Sequence, residues 1–187
     1  MSLYDMANIP LRNKKFKPTN DSINERWDKL YENIKVNINL APIVCLVGDR
    51  GQGKTQLGCS LIGYCCTVLN KSAYYTKAFD IFLETRAGMK GQDGKTELSA
   101  IEFFINPFLL VIDAFEVRGD TEYENRVLDH IIDKRYDKIK ATIIIANDKK
   151  DAVKVALGKS IMSRVDQNGG IVEICCPNFR KEGKNNG

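Results

Sequence analysis

The fold of this chain is decided by one stretch, Ile43-Val44-Cys45-Leu46-Val47-Gly48-Asp49-Arg50-Gly51-Gln52-Gly53-Lys54-Thr55, in which an apolar run enters a glycine-rich turn. A short, continuous apolar run is typical of a strand that is buried on both faces of a sheet. Residues 48–55 fit the pattern G-x-x-x-x-G-K-T in full, and a helical pattern begins at Lys54. A strand, this turn and a helix in that order predict a P-loop.

The chemistry of phosphate binding explains the spacing of this motif. Its glycines let the backbone curl so that successive N–H groups point at phosphate oxygens, and the following helix aims its positive end at the same anion. Lys54 is expected to reach the β- and γ-phosphates of ATP, and the Thr55 hydroxyl to bind Mg²⁺. The predicted nucleotide-binding residues are Gly48, Asp49, Arg50, Gly51, Gln52, Gly53, Lys54, Thr55 and Gln56.

A second motif supplies an acidic group for the metal ion. Leu109-Leu110-Val111-Ile112-Asp113 is a run of four apolar residues that ends in an acid, which is the Walker B form. At the end of a neighbouring strand, this carboxylate would hold Mg²⁺ through its water shell. Thr55 and Asp113 are therefore the predicted metal-binding residues.

The residue after Asp113 departs from the usual ATPase pattern. Many ATPases of this kind carry a glutamate there to orient the attacking water, whereas this chain has Ala114, which cannot do so. Three explanations are open: an engineered Glu→Ala change that traps ATP, a natural protein that binds ATP without hydrolysing it, or replacement of the missing group by Glu116. The first is favoured here because the other parts of the site look intact.

Strand and helix patterns alternate along the rest of the chain, which predicts an α/β fold. The expected architecture has three α/β/α layers around a five-stranded, mostly parallel sheet. Strands are predicted at 43–47, 73–76, 108–112, 141–146 and 171–175, and helices at 23–36, 54–68, 77–85, 97–104, 122–136 and 150–165. An irregular leader is predicted at 1–20, a mobile loop at 86–96 and a turn at 169–170.

Length and composition predict one domain and exclude several classes of protein. The chain has 187 residues, of which 43% are hydrophobic, enough for one ordinary core. We expect a leader and N-terminal helix at 1–42 that pack on an ATPase domain at 43–180, followed by a disordered tail at 181–187. No apolar run is long enough for a membrane helix or a secretory signal, so a cytoplasmic protein is expected.

Three further segments resemble those of a known family. Ile143 to Asn147 is a strand that ends in a polar residue, and the other two segments are Leu157 to Val165 and Pro177-Asn178-Phe179-Arg180. Together with both Walker motifs, they make the chain similar to the AAA+ ATPase domain of bacterial helicase loaders of the DnaC/DnaI type, close kin of the IstB transposition ATPases. The resemblance runs from about Ile9 to Arg180.

The resemblance implies roles for residues that chemistry alone does not single out. Asn147 falls on the sensor 1 position, Arg164 on the arginine finger and Arg180 on sensor 2. The implied catalytic set is Lys54, Asp113, Asn147, Arg164 and Arg180. An arginine finger acts in trans, so self-association into a spiral or ring is expected. In related assemblies, one region of the domain faces a central DNA channel. The residues of this chain that lie near that region are Lys77, Arg86, Lys90 and Lys95.

Three functions are compatible with these patterns. The first is a helicase loader that assembles with ATP on single-stranded DNA and helps to place a replicative helicase, although the stretch before Pro42 is too short for the separate helicase-gripping domain that loaders usually carry. The second is an IstB-like transposition regulator on duplex DNA. The third is a small-molecule kinase, which is disfavoured because no arginine-rich lid occurs between Glu97 and Phe108.

Overall fold

From residue 25 onward, the strands and helices follow the predicted order in a computed structural model, which describes residues 1–14, 25–91, 94, 96–176 and 178–179. The strands are β1 (Ile43–Val47), β2 (Ala73–Lys77), β3 (Leu109–Asp113), β4 (Ala141–Ile145) and β5 (Gly169–Glu173). The helices are α1 (Leu3–Met6), α2 (Leu11–Lys14), α3 (Glu25–Asn37), α4 (Lys54–Thr67), α5 (Ala78–Met89), α6 (Glu97–Ile105), α7 (Glu122–Asp137) and α8 (Lys150–Asn168). Within these ranges, none of the helices is long and apolar enough to cross a bilayer.

The five strands form one sheet in the order β2-β3-β4-β1-β5. Every strand pairing in this sheet is parallel, so the predicted α/β/α fold with a mostly parallel sheet is confirmed. Because all carboxyl ends lie at one edge, the turns after β1, β3 and β4 meet there. This edge is where ligands bind in open α/β sheets.

The central strands are buried because helices cover both faces of the sheet. All residues of β1, β3 and β4 are buried. In β1, Val44 and Leu46 pack in a core with α3 and α4, whereas Ile43, Cys45 and Val47 pack in a second core with α5 to α8. The side chains of this apolar run therefore alternate between two cores, one on each face of the sheet.

Two predicted irregular segments are partly helical. The leader was expected to be irregular, but it contains α1, which begins with a capping box between Ser2 and Asp5, and α2. The loop expected from residue 86 begins later, because α5 continues to Met89. Gly88, in the added turn of α5, is buried, and a Cβ atom there would lie 2.6 Å from the Thr96 carbonyl oxygen, so this turn packs closely against the start of α6.

The last strand begins earlier than predicted. Gly169 and Gly170 were expected to form a turn, but they are the first residues of β5 and pair with Ile43 and Val44. A Cβ atom on Gly169 would lie 2.6 Å from the Ile43 carbonyl oxygen, so only glycine allows this approach. The two glycines therefore suggested a turn at the position where an edge strand begins.

A buried arginine of α7 links β4 to the end of α6. Arg135 of α7 is 0% exposed. Its guanidinium donates to the Thr142 hydroxyl at 2.9 Å and to four backbone carbonyls, those of Phe104, Ile105, Pro107 and Ala141. The side chain thus satisfies carbonyls at the end of α6 that the helix itself leaves unpaired.

We expect Arg135→Met to lower the free energy of unfolding by about 3 kcal/mol, because several buried carbonyls would lose their donor. Urea denaturation measures this change. The control is Arg126→Met on the exposed face of the same helix, where the ion pair with Glu122 spans 3.8 Å. That variant should change stability by less than about 0.5 kcal/mol, and equal losses in both variants would contradict the structural role of Arg135.

Candidate nucleotide-binding site

The glycine-rich loop joins β1 to α4 at the carboxyl edge of the sheet. Gly48, Gly51 and Gly53 have φ angles of 137°, 92° and 83°, which favour glycine strongly over other residues. Asn178 lies directly over the loop, and a Cβ atom on Gly51 would meet its side-chain oxygen at 2.2 Å. Both the curvature and the close contact therefore require the glycine pattern of the sequence.

Lys54 places a buried positive charge at the centre of the loop. The residue is 3% exposed. Its ammonium donates to the backbone carbonyls of Gly48 and Asp49, each at 2.7 Å. A phosphate oxygen is a stronger partner for an ammonium than a neutral carbonyl is. The loop can therefore accept an anion if Lys54 exchanges these carbonyls for phosphate.

The structure brings the two predicted metal-binding residues together. The Thr55 hydroxyl donates to Oδ2 of Asp113 at 2.8 Å, and the Ala114 backbone N–H donates to Oδ1 at 2.7 Å. A hydroxyl beside a carboxylate is a set of hard oxygen donors, as Mg²⁺ prefers. Among the residues that the structure describes, no group of three or more acidic, histidine or cysteine side chains is placed to hold a metal ion. The oxygen donors of Thr55 and Asp113 fit a Mg²⁺ ion, whose other ligands would come from phosphate and water.

Tyr75 is a site residue that the sequence analysis missed. Its hydroxyl donates to the same Asp113 oxygen, Oδ2, at 2.8 Å. Burial and the neighbouring Asp113 raise the pKa of Tyr75, so the phenol keeps its proton and remains a donor. In the sequence Tyr75 looks like an ordinary strand residue, and only the pairing of β2 with β3 brings it to Asp113.

Asn147 lies at the same edge, where it holds the side chain of Glu116. The Asn147 backbone N–H donates to one Glu116 carboxylate oxygen at 3.0 Å, and its side-chain amide donates to the other at 2.8 Å. Both residues are half-buried. The predicted sensor residue is therefore paired with Glu116, the acid that could replace a glutamate at position 114.

Aromatic and amide groups support the loop from the outside. The Trp27 indole donates to the Gly53 carbonyl at 3.2 Å, and the Phe179 N–H donates to the Gly51 carbonyl at 3.1 Å. The Asn178 amide donates to the carbonyl of Arg50 at 3.2 Å. Since Trp27 is the only tryptophan of the chain, its fluorescence reports on the loop. Arg180, the predicted sensor 2 residue, lies outside the described residues, as do Lys95 and the tail.

The remaining predicted loop residues differ in their surroundings. The side chains of Asp49 and Arg50 are exposed. Gln52 is half-buried, and its side-chain oxygen has no hydrogen-bond partner among the described residues. Gln56 accepts a hydrogen bond from the Asn13 amide at 2.9 Å, so its side chain holds α2 against α4.

The predicted arginine finger lies apart from this cluster. Arg164 of α8 forms an ion pair with Asp133 of α7 and donates to the Ser160 carbonyl at 2.9 Å. Its guanidinium lies 5.7 Å from the centre of the Tyr136 ring. None of these contacts involves a residue of the loop. Arg86, one of the predicted DNA-facing residues, is likewise paired, with Glu124 at 3.3 Å.

The fold and this site define a P-loop ATP-binding protein of the AAA+ class. Residues 31–186 match the model of the family described as IstB-like ATP binding protein. This match covers most of the chain, and the chain belongs to that family.

Replication proteins are among its relatives and structural neighbours. The replicative helicase loader DnaC of Buchnera aphidicola subsp. Baizongia pistaciae is 26% identical over 129 residues, which cover 69% of this chain and 52% of that protein. The chain thus spans about half the length of this relative. A crystal structure of the DnaC helicase loader gives a TM-score of 0.67 at 21% identity, covering 91% of this chain and 98% of that one. The structure of the replication initiator DnaA bound to AMPPCP and single-stranded DNA gives a TM-score of 0.72 at 16% identity. The match covers 95% of this chain and 56% of that one.

We expect Lys54→Ala to weaken ATP binding by roughly 30- to 160-fold, because a charge-assisted contact to phosphate contributes about 2–3 kcal/mol. A titration of Mg·ATP against Trp27 emission measures this change. The exposed Lys29→Ala variant on α3 is the control and should bind as the unaltered chain does. Equal affinities of all three proteins would contradict the assignment of the loop.

We expect Tyr75→Phe to raise the Mg²⁺ concentration needed for half-maximal ATP binding by about tenfold, because Asp113 loses a group that orients it. The same titration at fixed ATP and varied Mg²⁺ measures this shift. Tyr64→Phe removes a hydroxyl from the far part of α4 and should leave the Mg²⁺ requirement unchanged. A requirement unchanged in Tyr75→Phe would show that the hydroxyl does not act on the metal site.

Proposed function

We propose that this chain is the ATPase domain of a helicase loader, which assembles with ATP on single-stranded DNA and helps to place a replicative helicase. The observation that carries the proposal is the cluster of Lys54, Thr55 and Asp113, which fits ATP with Mg²⁺ and occurs in a chain related to DnaC loaders. The DnaA neighbour, which carries a nucleotide analogue and single-stranded DNA on the same fold, supports the choice of DNA.

Each residue of the cluster has a distinct part in ATP binding. Lys54 and the loop N–H groups would bind the phosphates, while Thr55 and Asp113 would hold Mg²⁺, which would supply positive charge against the phosphate groups. Tyr75 keeps the Asp113 carboxylate in one orientation. ATP hydrolysis then resets the assembly, since ADP lacks the γ-phosphate that a neighbouring subunit would contact.

Arg164 is the group that we assign to that contact. Its side chain is 24% exposed and that of Asp133 is 39% exposed, so their ion pair is partly solvated and worth about 1 kcal/mol or less. A γ-phosphate carries more charge than one carboxylate and accepts two N–H donors of a guanidinium at once. Arg164 can therefore leave Asp133 for the γ-phosphate of ATP on a second copy of the chain.

The exposed lysines supply the contact with DNA in this proposal. Lys77 and Lys90 lie on the surface at either end of α5. Contacts of lysine with phosphates release counterions, so DNA binding should weaken steeply as salt rises. The net charge of the chain, +4, is mild, which suits binding that depends on assembly of several copies.

We expect Arg164→Ala to abolish the multimers that Mg·ATP and single-stranded DNA induce, while ATP affinity of the single chain changes less than about threefold. Mass photometry measures assembly and Trp27 emission measures affinity. Arg126→Ala removes an exposed arginine of α7 and is the control. Identical multimers in Arg164→Ala and the unaltered chain would contradict the contact in trans.

The same assay with duplex DNA distinguishes the loader from a transposition regulator. A loader should assemble on short single strands at concentrations at which duplex of equal length has no effect. Preferred assembly on duplex DNA, with bending of that duplex, would favour the IstB-like regulator instead. Failure to bind Mg·ATP at all would contradict both functions.

A further inference from the structure

The chain turns sharply after β3, and the turn is fixed in the core. Ala114 has a φ angle of 53°, and its carbonyl accepts a hydrogen bond from the Val117 N–H at 2.9 Å. Phe115 is 0% exposed, and its N–H donates to the Ile145 carbonyl at 3.0 Å, which continues the pairing of β3 with β4. Residue 116 is therefore held at the carboxyl edge of the sheet by a buried anchor on its N-terminal side.

The Glu116 carboxylate is held in a single orientation at this edge. Asn147 contacts both of its oxygens, one through the backbone N–H and one through the side-chain amide. Each carboxylate oxygen has two lone pairs, so each retains one acceptor position for another donor. Since Glu116 is only half-buried, a water molecule can reach that position.

The strand order places Asn147, which holds Glu116, between the strand of the metal-binding acid and the strand that leads into the phosphate loop. β4 lies between β3, which ends at Asp113, and β1, which leads into the loop. The Ala146 N–H donates to the Leu46 carbonyl at 3.0 Å, so the end of β4 remains bonded to β1 up to the residue before Asn147. Glu116 thus belongs to the same edge as Asp113 and Lys54.

We propose that Glu116 is the carboxylate that orients and deprotonates the attacking water in ATP hydrolysis, the role that Ala114 cannot fill, and that Asn147 is its positioning residue. This inference rests on the proposed ATP-binding function. The water oxygen forms a bond to the γ-phosphorus while the bond from that phosphorus to the bridging oxygen breaks. ADP leaves with that electron pair, and the water proton passes to Glu116 and then to the released phosphate.

If Glu116 and Asn147 served only to hold the local structure, an uncharged residue that keeps a hydrogen bond with Asn147 would be sufficient at position 116. An uncharged glutamine at position 116 has the same length and could still accept a hydrogen bond from Asn147, so it would keep most of the local geometry. It could not take a proton from water. Glu116→Gln therefore separates the chemical role from the structural one, and Asn147→Ala tests whether orientation alone matters.

The experiment measures ATP turnover in the presence of single-stranded DNA, together with two readouts that do not depend on turnover. These are Mg·ATP affinity from Trp27 emission, and the identity of the nucleotide that remains bound after gel filtration. We expect Glu116→Gln to lower kcat by about 100-fold or more, to bind ATP with less than a threefold change and to retain ATP rather than ADP. Asn147→Ala should lower kcat with KM nearly unchanged.

A control variant and a rescue variant show whether a loss of turnover is due to the missing carboxylate at position 116. Glu122→Gln changes an exposed acid at the start of α7 and should leave turnover and affinity as they are. Ala114→Glu in the Glu116→Gln background should recover part of the lost turnover, because a carboxylate returns to the same edge.

Two results would overturn the assignment of Glu116. One is turnover in Glu116→Gln of at least a third of that in the unaltered chain. The other is an unaltered chain that binds ATP and assembles on DNA but shows no turnover, whether or not Ala114→Glu creates activity. Both results leave ATP-dependent assembly intact, so they are distinguishable from failure of the proposed function, in which Mg·ATP does not bind and both proposals fall.

Discussion

The Asp113 carboxylate is the group on which the geometry of the site depends, because side chains from two other elements donate to it. Thr55 reaches it from the first turn of α4 and Tyr75 from β2, while its own strand, β3, lies between β2 and β4. A 7% exposed carboxylate is costly unless donors satisfy it, and these hydroxyls do so. The same oxygens suit Mg²⁺, so the carboxylate that these hydroxyls satisfy is also the candidate ligand for the metal ion of a bound nucleotide.

The sequence was sufficient for the parts of the site that are contiguous in the chain. The glycine-rich loop and its closeness to Asp113 could be predicted because phosphate chemistry requires glycines and a lysine at this spacing and an acid after a neighbouring apolar strand. The buried strands could be predicted because burial on both faces requires unbroken apolar runs, as in β1 and β4. Family membership followed from the same motifs together with segments such as residues 157–165.

Groups that depend on which strands are neighbours could not be predicted. Tyr75 meets Asp113 only because β2 pairs with β3, and Asn147 holds Glu116 only because β3 pairs with β4. The early start of β5 was missed because Gly169 serves a close approach to Ile43 rather than a turn. The alternation of strands and helices predicts a parallel sheet, but it does not specify the order of its strands.

The most direct test of this account is a crystal structure with Mg²⁺ and a non-hydrolysable ATP analogue. We expect Lys54 to leave the Gly48 and Asp49 carbonyls and to lie within hydrogen-bond distance of the β- and γ-phosphates, with Mg²⁺ beside Thr55 and Asp113. A nucleotide bound elsewhere, or a Lys54 that keeps its carbonyls while the analogue is present, would contradict the central claim that this loop and this carboxylate form one nucleotide site.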